Sequence, residues 1–86
     1  MDIKKAILQQ ATERGADKTI CPSEVARKLF PENWRTQMQI VRDAAFDLQA
    51  QNKIQILQKG KTVDPKITKG PIRIRIITEK TDLHNH

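Results

Sequence analysis

The sequence predicts an α+β domain in which three amphipathic helices precede a two-stranded β-hairpin. Apolar residues recur at helical spacing up to about residue 51, and beyond Lys53 they alternate with polar residues. Glycines and prolines stand where one pattern gives way to the next, as they do at turns. A chain of 86 residues suits one domain with one modest core.

The first helix is predicted over about residues 2–14. Gly15 follows it and is suited to end it in the left-handed conformation that glycine tolerates. The apolar side chains of this helix are spaced so that they share one face: Ile3, Ile7, Leu8 and Ala11.

A short extended stretch, residues 18–20, is predicted before the second helix. Pro22 disfavours helix at Cys21 and pre-sets the first helical residue, while Glu24 suits the first turn. Pro31 ends this short helix, whose inner face is Val25, Ala26 and Leu29.

The third helix is predicted to begin at Gln37, because Thr36 and Gln39 have the spacing of a capping box. Asn52 is predicted to end it. The inward stripe is Met38, Val41, Ala45 and Leu48.

Two strands with a long basic loop between them are predicted at residues 54–56 and 72–76. Their isoleucines share one face, which must meet the core, so Arg73 and Arg75 are expected to face outward. Helix, short strand, two helices and a hairpin together predict a winged helix-turn-helix over residues 1–77, with the hairpin as the wing. Residues 78–86 are predicted to form a polar, flexible tail.

Positive charge is concentrated in one part of the chain. The net charge is +6, and residues 53–75 hold seven basic side chains against one acidic side chain, whereas residues 1–52 hold eight against seven. We call residues 53–75 the basic segment. A field localised in this way attracts polyanions such as nucleic acid.

Other bulk features exclude several classes of protein. No apolar run is long enough to span a membrane, and the start of the chain lacks the pattern of a secretory signal. A single cysteine, Cys21, excludes an internal disulfide. Because small secreted domains usually depend on disulfides, this domain is expected in the cytoplasm. No cofactor motif is discernible, so no cofactor is predicted.

Several segments resemble a set of small, mostly bacterial proteins classed as a domain of unknown function. The resemblance covers about residues 3–76. It implies a winged helix and no settled activity. The segments that carry it, in order, are residues 19–27 (TICPSEVAR), Trp34-Arg35, residues 58–60 (QKG), residues 63–65 (VDP) and residues 70–75 (GPIRIR).

Candidates for catalysis are few, and an enzyme is not predicted. Cys21 stands at a helix start, where a thiol can become reactive, but it is interpreted as a small packed residue without a nearby histidine in sequence. His84 and His86 lack the further fixed ligands that a metal site needs. The sequence contains no paired carboxylates, phosphate-binding glycine loop or Ser/His/Asp set.

Double-stranded DNA is the predicted partner, bound mainly through the wing, although a merely solvated basic face is the open alternative. Lysine and arginine side chains that contact the phosphates of a duplex release its bound counterions, which raises the protein's affinity for DNA of any sequence. In the third helix Gln39 and Arg42 suit base edges, whereas Asp43 and Asp47 do not favour phosphates. The predicted nucleic-acid-binding residues are Arg35, Gln39, Arg42, Lys59, Lys61, Lys66, Lys69, Arg73 and Arg75.

The competing hypothesis is a protein-interaction or homodimerisation module with no nucleic-acid role. Its motivation is an exposed Phe46, with Ile40 on the other flank of the third helix. Trp34 is interpreted as an anchor of the connector to the core, with base stacking as the alternative. RNA is a third possible partner, although no RNA-binding module is recognised.

Overall fold

The computed structural model describes residues 2–59, 61–62 and 70–77, with only the backbone given for residues 61 and 62. These residues form helices α1 (Ile3–Arg14), α2 (Pro22–Leu29) and α3 (Met38–Ala50), and strands β1 (Ile54–Gln58), β2 (Lys61–Thr62) and β3 (Arg73–Ile76). The α+β class with three helices and antiparallel strands is confirmed.

Local sequence signals explain the ends of α1 and α2. The Asp2 carboxylate accepts a hydrogen bond from the Lys5 backbone N–H at 3.0 Å and caps α1. Gly15, with φ of 105°, ends α1 in a conformation open to glycine, although its ψ of 154° lies outside the predicted left-handed region. Pro22 opens α2, and Glu24 accepts a hydrogen bond from the Cys21 backbone N–H at 2.7 Å.

The start of α3 differs from the prediction. A 3-10 helix, Trp34–Gln37, precedes it, and α3 begins at Met38. The capping box predicted at Thr36 and Gln39 is wrong, because the Thr36 hydroxyl donates to the Asn33 carbonyl oxygen at 2.8 Å. At the other end Asn52 adopts a φ of 62°, which confirms it as the stop after α3.

The sheet is larger than the predicted two strands. Its order is β2-β1-β3, all antiparallel, so β1 is central. The predicted long loop is corrected at its start, where residues 61–62 turn back to pair with Leu57 and Gln58. The extended stretch before α2 contributes one bridge, in which Ile20 and Ile74 exchange two backbone hydrogen bonds of 2.8 Å.

The core lies between the helices and the inner face of the sheet. Ile56 and Ile74 face each other in the β1–β3 register and are fully buried. Met38 and Ile76 are only half-buried at the margin, while Ala44 joins the buried stripe of α3. The other buried apolar side chains of this cluster are Ile7, Ala11, Ile20, Val25, Ala26, Val41, Ala45, Leu48, Ile54 and Ile72.

Candidate nucleic-acid interface

The chain enters β3 at a point tied to both α3 and β1. Arg42 of α3 donates from Nη1 to the Gly70 carbonyl oxygen at 3.0 Å, and Gln58 of β1 donates from Nε2 to the Pro71 carbonyl oxygen at 3.2 Å. Gly70 has a φ of 86°, a backbone conformation that is strained for a residue with a side chain and is open to glycine. These two hydrogen bonds hold the backbone of Gly70 and Pro71, just before β3, next to α3 and β1.

The chain reverses direction between β1 and β2. Gln58 pairs with Lys61, and Lys59 follows Gln58 at the reversal. Lys59 is exposed and has a φ of 54°, as tight hairpin turns require. Lys59 therefore stands at the tip of the β1–β2 hairpin. The Lys61 side chain, Lys66 and Lys69 lie outside the described residues.

Arg73 and Arg75 alternate with the core isoleucines, as expected, but both guanidinium groups have partners within the chain. Arg73 donates from Nε to the Thr19 hydroxyl at 2.9 Å and from Nη2 to the Thr19 carbonyl oxygen at 3.3 Å. Arg75 is half-buried and donates to the Gln55 side-chain oxygen through two nitrogens. These arginines tie β3 to its neighbours.

Arg73 belongs to a group that we call the sheet-edge cluster: Arg14, Thr19, Glu24 and Arg73. Arg14 donates to the Thr19 carbonyl oxygen at 2.9 Å and forms an ion pair with Glu24. Burial raises the pKa of the Glu24 carboxyl, but hydrogen bonds from the Cys21 backbone and Arg14, with the charges of Arg14 and Arg73, bring it below its usual value. The cluster holds α1, α2 and β3 together.

The outer face of α3 carries polar groups that bond to one another. The exposed Gln39 amide donates to the Asp43 carboxylate at 2.8 Å, and Asp47 forms an ion pair with Lys4 at 3.5 Å. Arg42 is half-buried and already donates to Gly70. To read a base edge, Gln39 and Arg42 would first have to give up or share these contacts.

Trp34 lies at the α2–α3 connection and packs partly buried against the core, as predicted. Two guanidinium groups also lie over its ring. The Cζ of Arg27 is 4.4 Å from the ring centroid and that of Arg35 is 5.2 Å away. We call these three residues the arginine–tryptophan cluster. Arg35 was a predicted binding residue, whereas Arg27 was missed because it lies on a different helix from Trp34.

The apolar residues proposed for a protein contact are not equivalent. Phe46 is half-buried and packs against the core, so the prediction that it is exposed is wrong. Ile40 is 48% exposed. One isolated apolar side chain on the surface is common in monomeric proteins.

Cys21 is half-buried, and its Sγ accepts a hydrogen bond from the Ser23 hydroxyl at 3.1 Å. Among residues 2–59, 61–62 and 70–77 no group of three or more His, Cys, Asp or Glu side chains is placed to hold a metal ion. His84 and His86 lie outside these ranges.

Comparison with known proteins gives a family without an assigned activity. The family model described as a protein of unknown function (DUF3253) matches residues 1–77. The resemblance to a domain of unknown function is thereby confirmed. No curated protein matches the chain.

In the part of the chain that the structure describes, no helix is long and apolar enough to cross a bilayer.

Proposed function

We propose that this chain, which belongs to the DUF3253 family, is a non-catalytic winged helix-turn-helix domain that binds double-stranded DNA. The wing comprises the hairpin of β1 and β2 and residues 63–69, which the sequence predicts to form a basic loop. The observation that carries the proposal is the concentration of positive charge in the basic segment, which holds seven basic side chains against one acidic side chain.

The order of elements supports the winged-helix assignment. Helix α1, the Ile20 bridge, α2, α3 and then the strands follow one another, and β3 lies between Ile20 and β1. A helix-turn-helix pair followed by an antiparallel hairpin is the arrangement in which one helix and a wing meet a duplex together.

Contact with the phosphate backbone is the favoured mode of binding. Lys59 is exposed at the hairpin tip and no described residue accepts a hydrogen bond from it, so phosphate contact would cost no internal bond. Lysines at such a tip contact phosphates and so orient the protein on the duplex, without recognising the base sequence. The acidic groups Asp43 and Asp47 on α3 favour a small contribution from that helix.

A protein-binding module is the second candidate, and Ile40 is the observation that favours it. An isoleucine that is 48% exposed could occupy a pocket on a partner. This alternative predicts that Ile40→Glu abolishes partner binding, whereas the DNA-binding proposal predicts little change in duplex affinity.

The test is a fluorescence-anisotropy titration of a labelled random-sequence duplex at low salt. We expect saturable binding by the unmodified protein. Lys59→Glu/Lys61→Glu should weaken binding by at least about tenfold, because two phosphate contacts become repulsions.

The matched control is Lys5→Glu/Lys18→Glu, which changes the net charge equally at exposed positions on the α1 side of the molecule. The proposal fails if the unmodified protein does not bind the duplex. Equal losses in both double variants would show non-specific attraction to net charge and would remove the wing from the proposal. Competition with duplex RNA ranks the two nucleic acids.

A further inference from the structure

We propose that Arg27 and Arg35, held over the Trp34 ring, form a second phosphate-binding point on the nucleic-acid surface, separate from the wing. This inference rests on the proposed function and deepens it. It assigns a binding role to Arg27, which is not among the binding residues predicted from the sequence.

The first reason is that the arginine–tryptophan cluster joins two cations and supplies no counter-charge. Both guanidinium carbons lie over one indole, at 4.4 and 5.2 Å from its centroid. The face of the ring is the partner of both cations, and it offsets their charge only in part. An anion beside either guanidinium would neutralise the charge that remains.

The second reason is that the surroundings do not supply that anion. Arg27 and Arg35 are both exposed, and no ion pair joins either of them to a carboxylate in the described part of the chain. Glu32 lies in the same connection and forms no ion pair with them. By contrast, Arg14 of the sheet-edge cluster has Glu24 as its partner.

The third reason is the chemistry of the guanidinium group. Its planar fork presents paired N–H donors to phosphate oxygens, and stacking on an indole leaves the in-plane donors free. Packing of Trp34 against the core restricts the ring, and the ring in turn restricts both arginines. Less side-chain entropy is therefore lost when a phosphate binds.

The fourth reason is position. The cluster stands where α2 passes into α3, and in helix-turn-helix proteins the first helix of the pair crosses the backbone of the duplex. Two contact points, one at this connection and one at the wing, would fix the domain's orientation. A wing alone would leave it free to pivot.

Trp34 gives a direct readout, because it is the single tryptophan and the chain has no tyrosine. We expect addition of unlabelled duplex to change the Trp34 emission of the unmodified protein, with the same midpoint as the anisotropy titration. Binding through the wing alone would leave the emission unchanged, and that result would overturn the inference without any variant.

The variant Arg27→Gln/Arg35→Gln should weaken duplex binding by at least about tenfold and make the slope of log K against log salt less negative by about 2. Lys5→Gln/Lys18→Gln removes the same charge from exposed positions and should leave that slope unchanged. The thermal unfolding midpoint of each variant reports whether it folds. Arg27→Lys/Arg35→Lys, which keeps both charges, should restore most of the slope.

The outcomes separate the two proposals. If the unmodified protein binds and the Gln pair behaves like its control, the arginine–tryptophan cluster is structural only and the wing-led function stands. If the unmodified protein binds no duplex, both proposals are overturned.

Discussion

The cations of this domain fall into two groups that differ in what their charges face. In the sheet-edge cluster and along β3, guanidinium groups donate to Thr19, Gln55 and Glu24. At the hairpin tip and the α2–α3 connection, Lys59, Arg27 and Arg35 are exposed and form no ion pair with described residues. The first group stabilises the fold, and the second is available to a ligand.

The difference shows that the seven basic side chains of the basic segment attract polyanions together but are not equally free to contact a phosphate. In both Arg73 and Arg75, two nitrogens of the guanidinium group already donate to the protein's own oxygens. Their charges still contribute to the long-range field, but fewer of their donors remain for a phosphate. Substitutions in the first group should therefore change mainly the free energy of unfolding, and substitutions in the second group should change mainly duplex affinity.

The largest expected effect on stability is at the inner face of β3. Ile74 is fully buried and pairs with both Ile20 and Ile56. Ile74→Ala should lower the free energy of unfolding by about 2–5 kcal/mol, measured by urea denaturation, because it removes buried methyl groups and leaves a cavity. A loss below about 1 kcal/mol would contradict the burial of the Ile74 side chain in the core.

A smaller effect is expected at Glu24, which holds the sheet-edge cluster together. Glu24→Gln should cost about 1 kcal/mol, because the ion pair with Arg14 and the charged cap of α2 are weakened. Duplex affinity should stay within about twofold of the unmodified protein.

The same carboxyl predicts a pH dependence. Its pKa is lower in the folded protein than in the unfolded chain, so its stabilising contribution is present above the unfolded pKa and is lost as pH falls through the folded pKa. Urea midpoints measured from neutral to acidic pH should converge for the unmodified protein and Glu24→Gln. A constant gap at all pH values would contradict the assignment.

Arg73→Gln tests the division between the two groups directly. Loss of its bonds to Thr19 should lower stability by up to about 1 kcal/mol, an upper value because the side chain is exposed. The salt dependence of duplex binding should not change. A slope less negative by about 1 would place Arg73 on the phosphate backbone and break the comparison.

The smallest expected effect is at the hairpin tip, where stability and binding should move in opposite directions. Lys59 adopts a φ of 54°, so Lys59→Gly should relieve backbone strain and stabilise the domain by about 0.5 kcal/mol. The same substitution should weaken duplex binding and make the salt slope less negative by about 1. Destabilisation together with unchanged binding would contradict both assignments.

The sequence was sufficient for the parts of the fold that local chemistry dictates. Helical periodicity located three helices, and Asn52 and Pro22 marked helix boundaries that the structure has. It missed β2, because two residues are too short to show alternation. It placed the start of α3 one residue early, because Thr36 bonds backward to Asn33 instead of capping the helix.

The candidate site was harder to predict because its decisive contacts are distant in sequence. Outward orientation of Arg73 followed from the alternation in β3, but its partner Thr19 lies 54 residues away. Arg42 has the residue type of a base reader, and only the folded chain brings the Gly70 carbonyl to it. Trp34 beside Arg35 was visible in the sequence, whereas Arg27 joins them only because the 3-10 helix that contains Trp34 packs against α2.

The most direct test of phosphate-led binding is the salt dependence of duplex affinity for the unmodified protein. With four to six phosphate contacts, log K should fall with log salt at a slope of roughly −4 to −5, and duplexes of unrelated sequence should give similar values. A slope near zero, or no binding at low salt, would contradict the proposal that this domain holds DNA by its backbone.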